Sequence, residues 1–315
     1  MTENPMTEHP ITDAPPTRES LRDWLNAPVA KSPGQARAQS IWRAAKRLGG
    51  NYAAMAGLFI LIVLVGAAAF APWLAPYGPF EQDLNRRLLP PSADHWFGTD
   101  QLGRDIYSRV LHGASITLRI ALLAAAIAGP IGLLVGATAG YLGGWVDTVA
   151  MRVVDVFLAF PALILALAFV AALGAGINNA VIAIALASWP PIARLARAET
   201  LSVRKSDYIA AARLTGAGPL RIIVRHIMPI CIPSVVIRVT LNMAGIILTA
   251  AGLGFLGLGA QPPMPEWGAM LATGREFMLT HWWLATMPGI AILTVSLAFN
   301  LLGDGLRDAL DPRHG

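Results

Sequence analysis

The chain has 315 residues, 55% of them hydrophobic and 14% charged, against about 25% charged in typical soluble domains; this balance excludes an ordinary soluble domain and points to a polytopic membrane protein. A net charge of +5 would suggest nucleic acid in a soluble chain, so here it has to be located loop by loop before it means anything. The single cysteine, Cys231, excludes an internal disulfide and leaves no second thiolate for a metal site.

Residues 1–50 are polar, rich in Pro and Thr at the front, and show no apolar run of the kind that marks a cleavable signal peptide. We read 1–35 as a loose tail. Within 1–50, two stretches, 20–25 and 36–48, have the pattern of short interfacial helices; the second sets Ile41, Trp42 and Leu48 among Arg37, Arg43, Lys46 and Arg47. A membrane helix needs roughly 20 apolar residues, and six such runs follow, at 53–73, 115–141, 149–173, 178–192, 230–256 and 282–302. Arg119 sits near the outer end of the second and can snorkel. Pro161 should kink the third, and Pro190-Pro191 should end the short fourth. Polar segments 74–112 and 257–281 separate the first from the second and the fifth from the sixth.

Between the fourth and fifth runs lies 206–229, SDYIAAARLTGAGPLRIIVRHIMP, whose Arg213, Arg221, Arg225 and His226 keep it out of hydrocarbon. Capping rules divide it into two short helices. Ser206 is placed to cap the first, Gly216 to end it in a left-handed turn, and Pro219 to open the second. Pro229 disfavours helical geometry in the residue before it. The predicted object is a small basic elbow whose Ala-rich first helix lets another protein approach its backbone.

Six spans put both termini on one side. With that side taken as cytoplasmic, 17 Lys and Arg lie inside and 5 outside, as the positive-inside rule expects. This assigns 1–50 to a cytoplasmic tail and 51–315 to an all-α transmembrane domain with an outer loop at 74–112 and a cytoplasmic loop at 193–229. It also disposes of nucleic acid as a partner, because the outer loop has four basic residues against five acids.

Tyr208-Ile209-Ala210-Ala211-Ala212-Arg213, then Gly216, then Ile227-Met228-Pro229 resembles the EAA loop of binding-protein-dependent ABC importer permeases. Ala210 stands where the family often has Glu, and Met228 where it has Leu; the Gly216-to-Pro229 spacing is kept. Three further stretches, 97–105, 255–268 and 299–308, resemble segments of peptide-importer permeases of the C-subunit type, so that the similarity runs in order over roughly 50–313. The resemblance implies a type I permease fold with six transmembrane helices in a bacterial cytoplasmic membrane. It also implies a second related permease chain, two ABC ATPase subunits and an extracytoplasmic substrate-binding protein. Dipeptides or oligopeptides are the cargo it suggests, with nickel complexes or glutathione as the alternative. On this reading Asp207, Tyr208, Ala211, Ala212, Arg213, Gly216 and Pro229 couple the chain to its ATPase.

Other residues have two readings each. Arg238 and Asn242 share a face of the fifth span, which either lines the translocation path or makes structural hydrogen bonds. The stretch with Gly98, Asp100, Gly103, Arg104 and Asp105 either receives the binding protein or is a self-contained cap; the spacing of His95, Asp100 and Asp105 matches no zinc pattern. Gly132, Gly136 and Gly140 form a smooth ridge for internal packing or for subunit pairing. Asp155 and Arg152 pair or reach water, and Asn300 is expected in a helix–helix hydrogen bond. No Gly-x-x-x-x-Gly-Lys-Ser/Thr occurs, so this chain is not expected to hydrolyse ATP, and no cofactor is expected. An ion-driven carrier would show inverted repeats and acids deep in its spans; Asp155 is the one acid within a span.

Overall fold

A computed structural model describes residues 21–27 and 32–310, and among them the regular structure is helical apart from an isolated bridge between Thr99 and Asp105. Helices begin inside the expected tail, with α1 (Leu21–Asn26) and α2 (Pro33–Gly50). The side-chain amide of Gln35 donates to Trp24 O at 2.8 Å, and that of Gln39 to Trp24 O and Ala27 O. In this way α2 completes carbonyls that the end of α1 leaves open. Residues 1–20 and 311–315 of the expected tails lie outside the described residues.

The first span is α3 (Tyr52–Ala69), capped by Asn51, whose Oδ1 accepts from the Ala54 N–H at 3.1 Å; α4 (Ala71–Leu74) follows it. The second, α5 (Ile106–Leu142), starts earlier than the apolar run because Asp105 caps it, taking the Ser108 N–H at 2.7 Å. Next come α6 (Gly144–Leu158), α7 (Ala162–Leu173), α8 (Ile177–Ser188) and α9 (Pro190–Val203). The elbow holds α10 (Asp207–Leu214) and α11 (Pro219–Ile222), and a π turn at Ile223–Ile227 leads into α12 (Met228–Phe255). The chain closes with α13 (Trp267–Gly274) and α14 (Trp283–Leu310). Among the described residues five helical stretches are long and apolar enough to cross a membrane, and α6 with α7 makes a sixth if that bent pair is one span.

Three expectations about prolines change. Pro161 does more than kink the third run: α6 and α7 meet at 95°, since Pro161 is extended (ψ 133) and starts α7 from outside the helix. Pro190-Pro191 does not end the fourth run. Prolines at the first helical positions lack only N–H groups that have no intrahelical partner there, so α9 restarts at once and carries the run on to Val203. Pro229 does not force Met228 out of helical geometry, for Met228 has φ −54 and ψ −43. The π turn widens the ladder before it, with Met228 N–H reaching Ile223 O, which makes room where the proline ring would otherwise meet a preceding carbonyl.

The helices close on two apolar clusters. One gathers α5, α8, α12, α13 and α14 around residues such as Ile184, Ile247 and Trp267. The other joins α5, α9 and α12 to the elbow through Ile192, Ile209, Ile222 and Ile227. The Gly132, Gly136 and Gly140 ridge serves internal packing: a Cβ at Gly132 would sit 2.6 Å from Ile192 Cβ, and one at Gly136 would collide with Ala193 O. Asp155 pairs with Arg194 at 2.6 Å rather than with Arg152. Asn300, expected in a helix–helix hydrogen bond, is exposed and makes none among the described residues.

Candidate functional site

The elbow is built from its ends inward. Ser206 is extended (φ −71, ψ 152), and its carbonyl accepts the N–H groups of Ile209 and Ala210 at 3.1 and 3.0 Å. The side chain gives no cap hydrogen bond, so the N-cap position is as expected while the capping contact is not. Asp207 in the first turn faces the positive end of the helix dipole. At the other end Gly216 has φ +83; its N–H reaches Arg213 O at 2.9 Å and the Ala217 N–H reaches Ala212 O at 3.1 Å. That pair of bonds is the Schellman arrangement, which needs a residue at ease with positive φ.

One side of α10 is turned inward, with Ile209 in the second apolar cluster and Ala212 also buried, while Asp207, Tyr208, Ala210, Ala211 and Arg213 stay exposed. Two side chains fasten it to separate spanning helices. Tyr208 Oη lies 2.7 Å from His226 Nδ1 at the root of α12, and Arg213 Nε donates to Tyr141 Oη at the end of α5, 3.3 Å away. The Arg213 guanidinium also covers the Tyr141 ring, 5.2 Å from its centroid. Leu214 is 90% exposed and Leu220 73%, two apolar knobs flanking the Gly216 turn. Sequence reasoning nominated Asp207, Tyr208, Ala211, Ala212, Arg213, Gly216 and Pro229. Of these, Ala212 is turned inward, and the rest are exposed, Pro229 at the far end of the π turn. It missed Leu214, Leu220, His226 and Tyr141; a leucine on either side of a helix-ending glycine in a basic loop was the available signal.

Arg238 is exposed on the flank of α12 with Asn242 half-buried one turn on, and neither makes a hydrogen bond or ion pair among the described residues. The structural hydrogen bond within the chain is therefore not made among the described residues.

At the opposite end of the bundle, residues 75–105 wrap into an ordered cap. Asp100 Oδ1 accepts the N–H groups of Leu102 and Arg104 at 2.9 and 3.0 Å, and Oδ2 takes Arg104 Nε at 2.6 Å. Asp105 holds His95 Nδ1 at 2.9 Å besides capping α5. Gly98 and Gly103 turn with φ of 76° and 73°. All five residues nominated for docking, Gly98, Asp100, Gly103, Arg104 and Asp105, are buried. They shape the cap from within, and exposed Phe80, Leu84 and Trp96 supply its surface. In the second such segment Glu266 is fully buried and caps α13, accepting from Gly268 N–H and Ala269 N–H at 2.9 Å each. Burial pushes its carboxyl above the usual range, against the pull of those two amides.

Residues 132–314 match the family described as binding-protein-dependent transport system inner membrane component, and 39–91 match the N-terminal TM domain of oligopeptide transport permease C. The chain is 47% identical over 256 residues to a probable D,D-dipeptide transport system permease protein of Escherichia coli (strain K12), covering 81% of this chain and 86% of the relative. It is 46% identical over 269 residues to a di/tripeptide transport system permease protein of Pseudomonas aeruginosa (strain UCBPP-PA14), covering 84% and 89%. A solved chain of the MetNI methionine ABC transporter in inward-facing conformations superposes with a TM-score of 0.53 at 19% identity, covering 65% of this chain and 98% of that one. That likeness speaks to the fold, a type I ABC importer permease.

Proposed function

The chain belongs to the binding-protein-dependent transport system inner membrane components, and from that premise we propose that it is the permease subunit of an ATP-driven importer of dipeptides or oligopeptides. In this reading 206–229 docks on a separate ATPase subunit. A second, related permease chain completes the path, and a substrate-binding protein delivers cargo to the cap formed by 74–112. Both termini and the elbow face the cytoplasm, as the distribution of Lys and Arg argues.

The observation that carries the reading is the fastening of α10. A helix that offers small exposed Ala210 and Ala211, and is tied through Tyr208 to the α12 root and through Arg213 to the α5 end, can pass a push to two spans at once. Transport then needs no chemistry in this chain: closure of the ATPases moves α10, and rigid-body motion of α5 and α12 opens the path to the other side. Arg238 and Asn242 are positioned to meet cargo or water along that path. The test is ATP-dependent uptake of a dipeptide by the reconstituted complex, with and without the chain carrying a deletion of 207–215. Undiminished uptake, or retention of the ATPase on the deleted chain, would overturn the proposal.

A further inference from the structure

Arg119 opens onto a cleft of about 690 Å³ between α5, the α7–α8 turn and residues 261–264. Cavities of a few hundred to about 1,000 Å³ are the size that small ligands occupy. Its walls are held by backbone and amide bonds. Gly176 N–H donates to Leu258 O at 3.2 Å, joining the α7–α8 turn to the segment after α12. Asn179 Nδ2 donates to Leu173 O and Gly174 O at 2.9 and 3.0 Å, and Gln261 Nε2 to Gly257 O and Gly259 O at 3.0 and 3.1 Å. Both amide N–H groups are therefore engaged in the wall, which leaves the two side-chain oxygens as the acceptors available to a ligand.

Arg119 itself makes no hydrogen bond or ion pair among the described residues, and neither does Asn178 beside it. Two arginines of the helical bundle are paired, Arg194 with Asp155 and Arg197 with Asp147, whereas Arg119, like Arg238, is not. A guanidinium does not lose its proton, and Arg119, exposed near the outer end of its span, is open to water or to an anion. Ile116, Arg119 and Leu123 form one stripe of α5 along the cleft, so the exposed guanidinium stands between two apolar side chains and faces the amides of the opposite wall. Its planar fork of donors matches a carboxylate.

We propose that this cleft binds the carboxylate end of a peptide-like cargo, with Arg119 holding the carboxylate and the Asn179 and Gln261 oxygens accepting N–H groups from the remainder. The donor-and-acceptor layout suits a short zwitterionic peptide, and one wall of the cleft, 261–264, is linked to the cap through Arg109, which donates to Pro79 O at 2.7 Å and to Pro263 O at 3.5 Å; the cap is the proposed point of cargo arrival. The proposal rests on the permease reading and narrows it to cargo with a free carboxylate.

The test uses the complete importer in lipid nanodiscs, with Asn178→Cys in the cleft; the native Cys231 is buried. Modification of the introduced thiol by an impermeant reagent is timed with L-alanyl-L-alanine or its C-terminal amide present. The free acid should slow modification about tenfold at about ten times its dissociation constant, the amide should not, and Arg119→Gln should abolish the protection. Equal protection by the amide, protection that survives Arg119→Gln, or no protection would overturn the site. So would shielding that follows the anionic lipid content of the disc, or shielding by the second permease chain without peptide. ATP-dependent uptake of the same dipeptide by the same preparation separates the two readings. Uptake without protection removes only the Arg119 site, whereas absence of uptake counts against the cargo.

Discussion

Tyr208 and His226 stand 18 residues apart, yet the phenol oxygen lies 2.7 Å from Nδ1 and the ring centroids 5.3 Å apart at 60°. This pair closes the elbow: it joins the first turn of α10 to the π turn beneath α12 across the Gly216 bend. Tyr208→Phe keeps the ring and removes the hydrogen bond, worth about 0.5–1.5 kcal/mol for a neutral pair. The expected outcome is an ATPase still bound but poorly coupled, with uptake per ATP hydrolysed falling while copurification is unchanged. Unaltered uptake per ATP would show that the elbow transmits its load by another contact.

At Gly216 the strain is purely of the backbone, because a Cβ there would meet nothing within 4 Å while φ is +83. Left-handed geometry costs a residue with a Cβ roughly 1–2 kcal/mol, and Asn bears it better than most. Gly216→Asn should therefore transport nearly as well as the parent, and Gly216→Val should insert normally yet lose transport. Uptake measured beside membrane abundance checks this, and equal uptake by the two variants would mean the Schellman turn is dispensable.

Orientation is open to direct measurement. A membrane-impermeant thiol reagent applied to intact cells should label Gln101→Cys in the cap and leave Ser202→Cys near the elbow unlabelled. Labelling of the Ser202 position from outside would invert the topology.

How much of this was legible in the sequence depended on the range of the interaction. The left-handed Gly216, the ends of α10 and the apolar runs are set by neighbours within a few residues, and these can be read locally, although the side chain of Ser206 gives no cap hydrogen bond. The behaviour of Pro161, Pro190 and Pro229 could not, because a proline's effect depends on which carbonyls and donors its helix leaves unused. Asp100 and Asp105 looked like surface for the same reason. Only the fold shows that Arg104, His95 and the α5 N-terminus absorb both carboxylates. Arg119 read as a snorkelling side chain, and the cleft beside it is formed by segments far away in sequence.

Packing between α5 and α9 gives a stability prediction with an internal control. A methyl group at Gly136 would collide with Ala193 O and lie 2.8 Å from Ala196 Cβ, whereas at Gly66 it would meet nothing within 4 Å. Overpacking typically costs about 1–3 kcal/mol. Gly136→Ala should lower the thermal unfolding midpoint of the purified complex, and Gly66→Ala should leave it unchanged or raise it slightly. Matching midpoints for both variants would mean that the two helices can part without loss.

The separation of coupling from passage is the sharpest consequence of the proposed function. Ala211 is exposed on α10, where a close-fitting partner would leave no water for a new carboxylate, so Ala211→Asp should strand an unpaired charge at the contact. Arg238 lies on the exposed flank of α12, past the π turn and away from that surface. Its loss changes the field along the path but touches nothing on α10. Ala211→Asp should thus lose ATPase copurification and uptake together, while Arg238→Ala should keep the ATPase and its stimulation by the binding protein, with any loss confined to the movement of cargo. Pull-down, stimulated ATP hydrolysis and vesicle uptake measured on one preparation of each variant distinguish the two. Retained ATPase coupling in Ala211→Asp would reduce the elbow to an ordinary connecting loop. Loss of ATPase binding in Arg238→Ala would instead place Arg238 among the residues that hold the elbow in position.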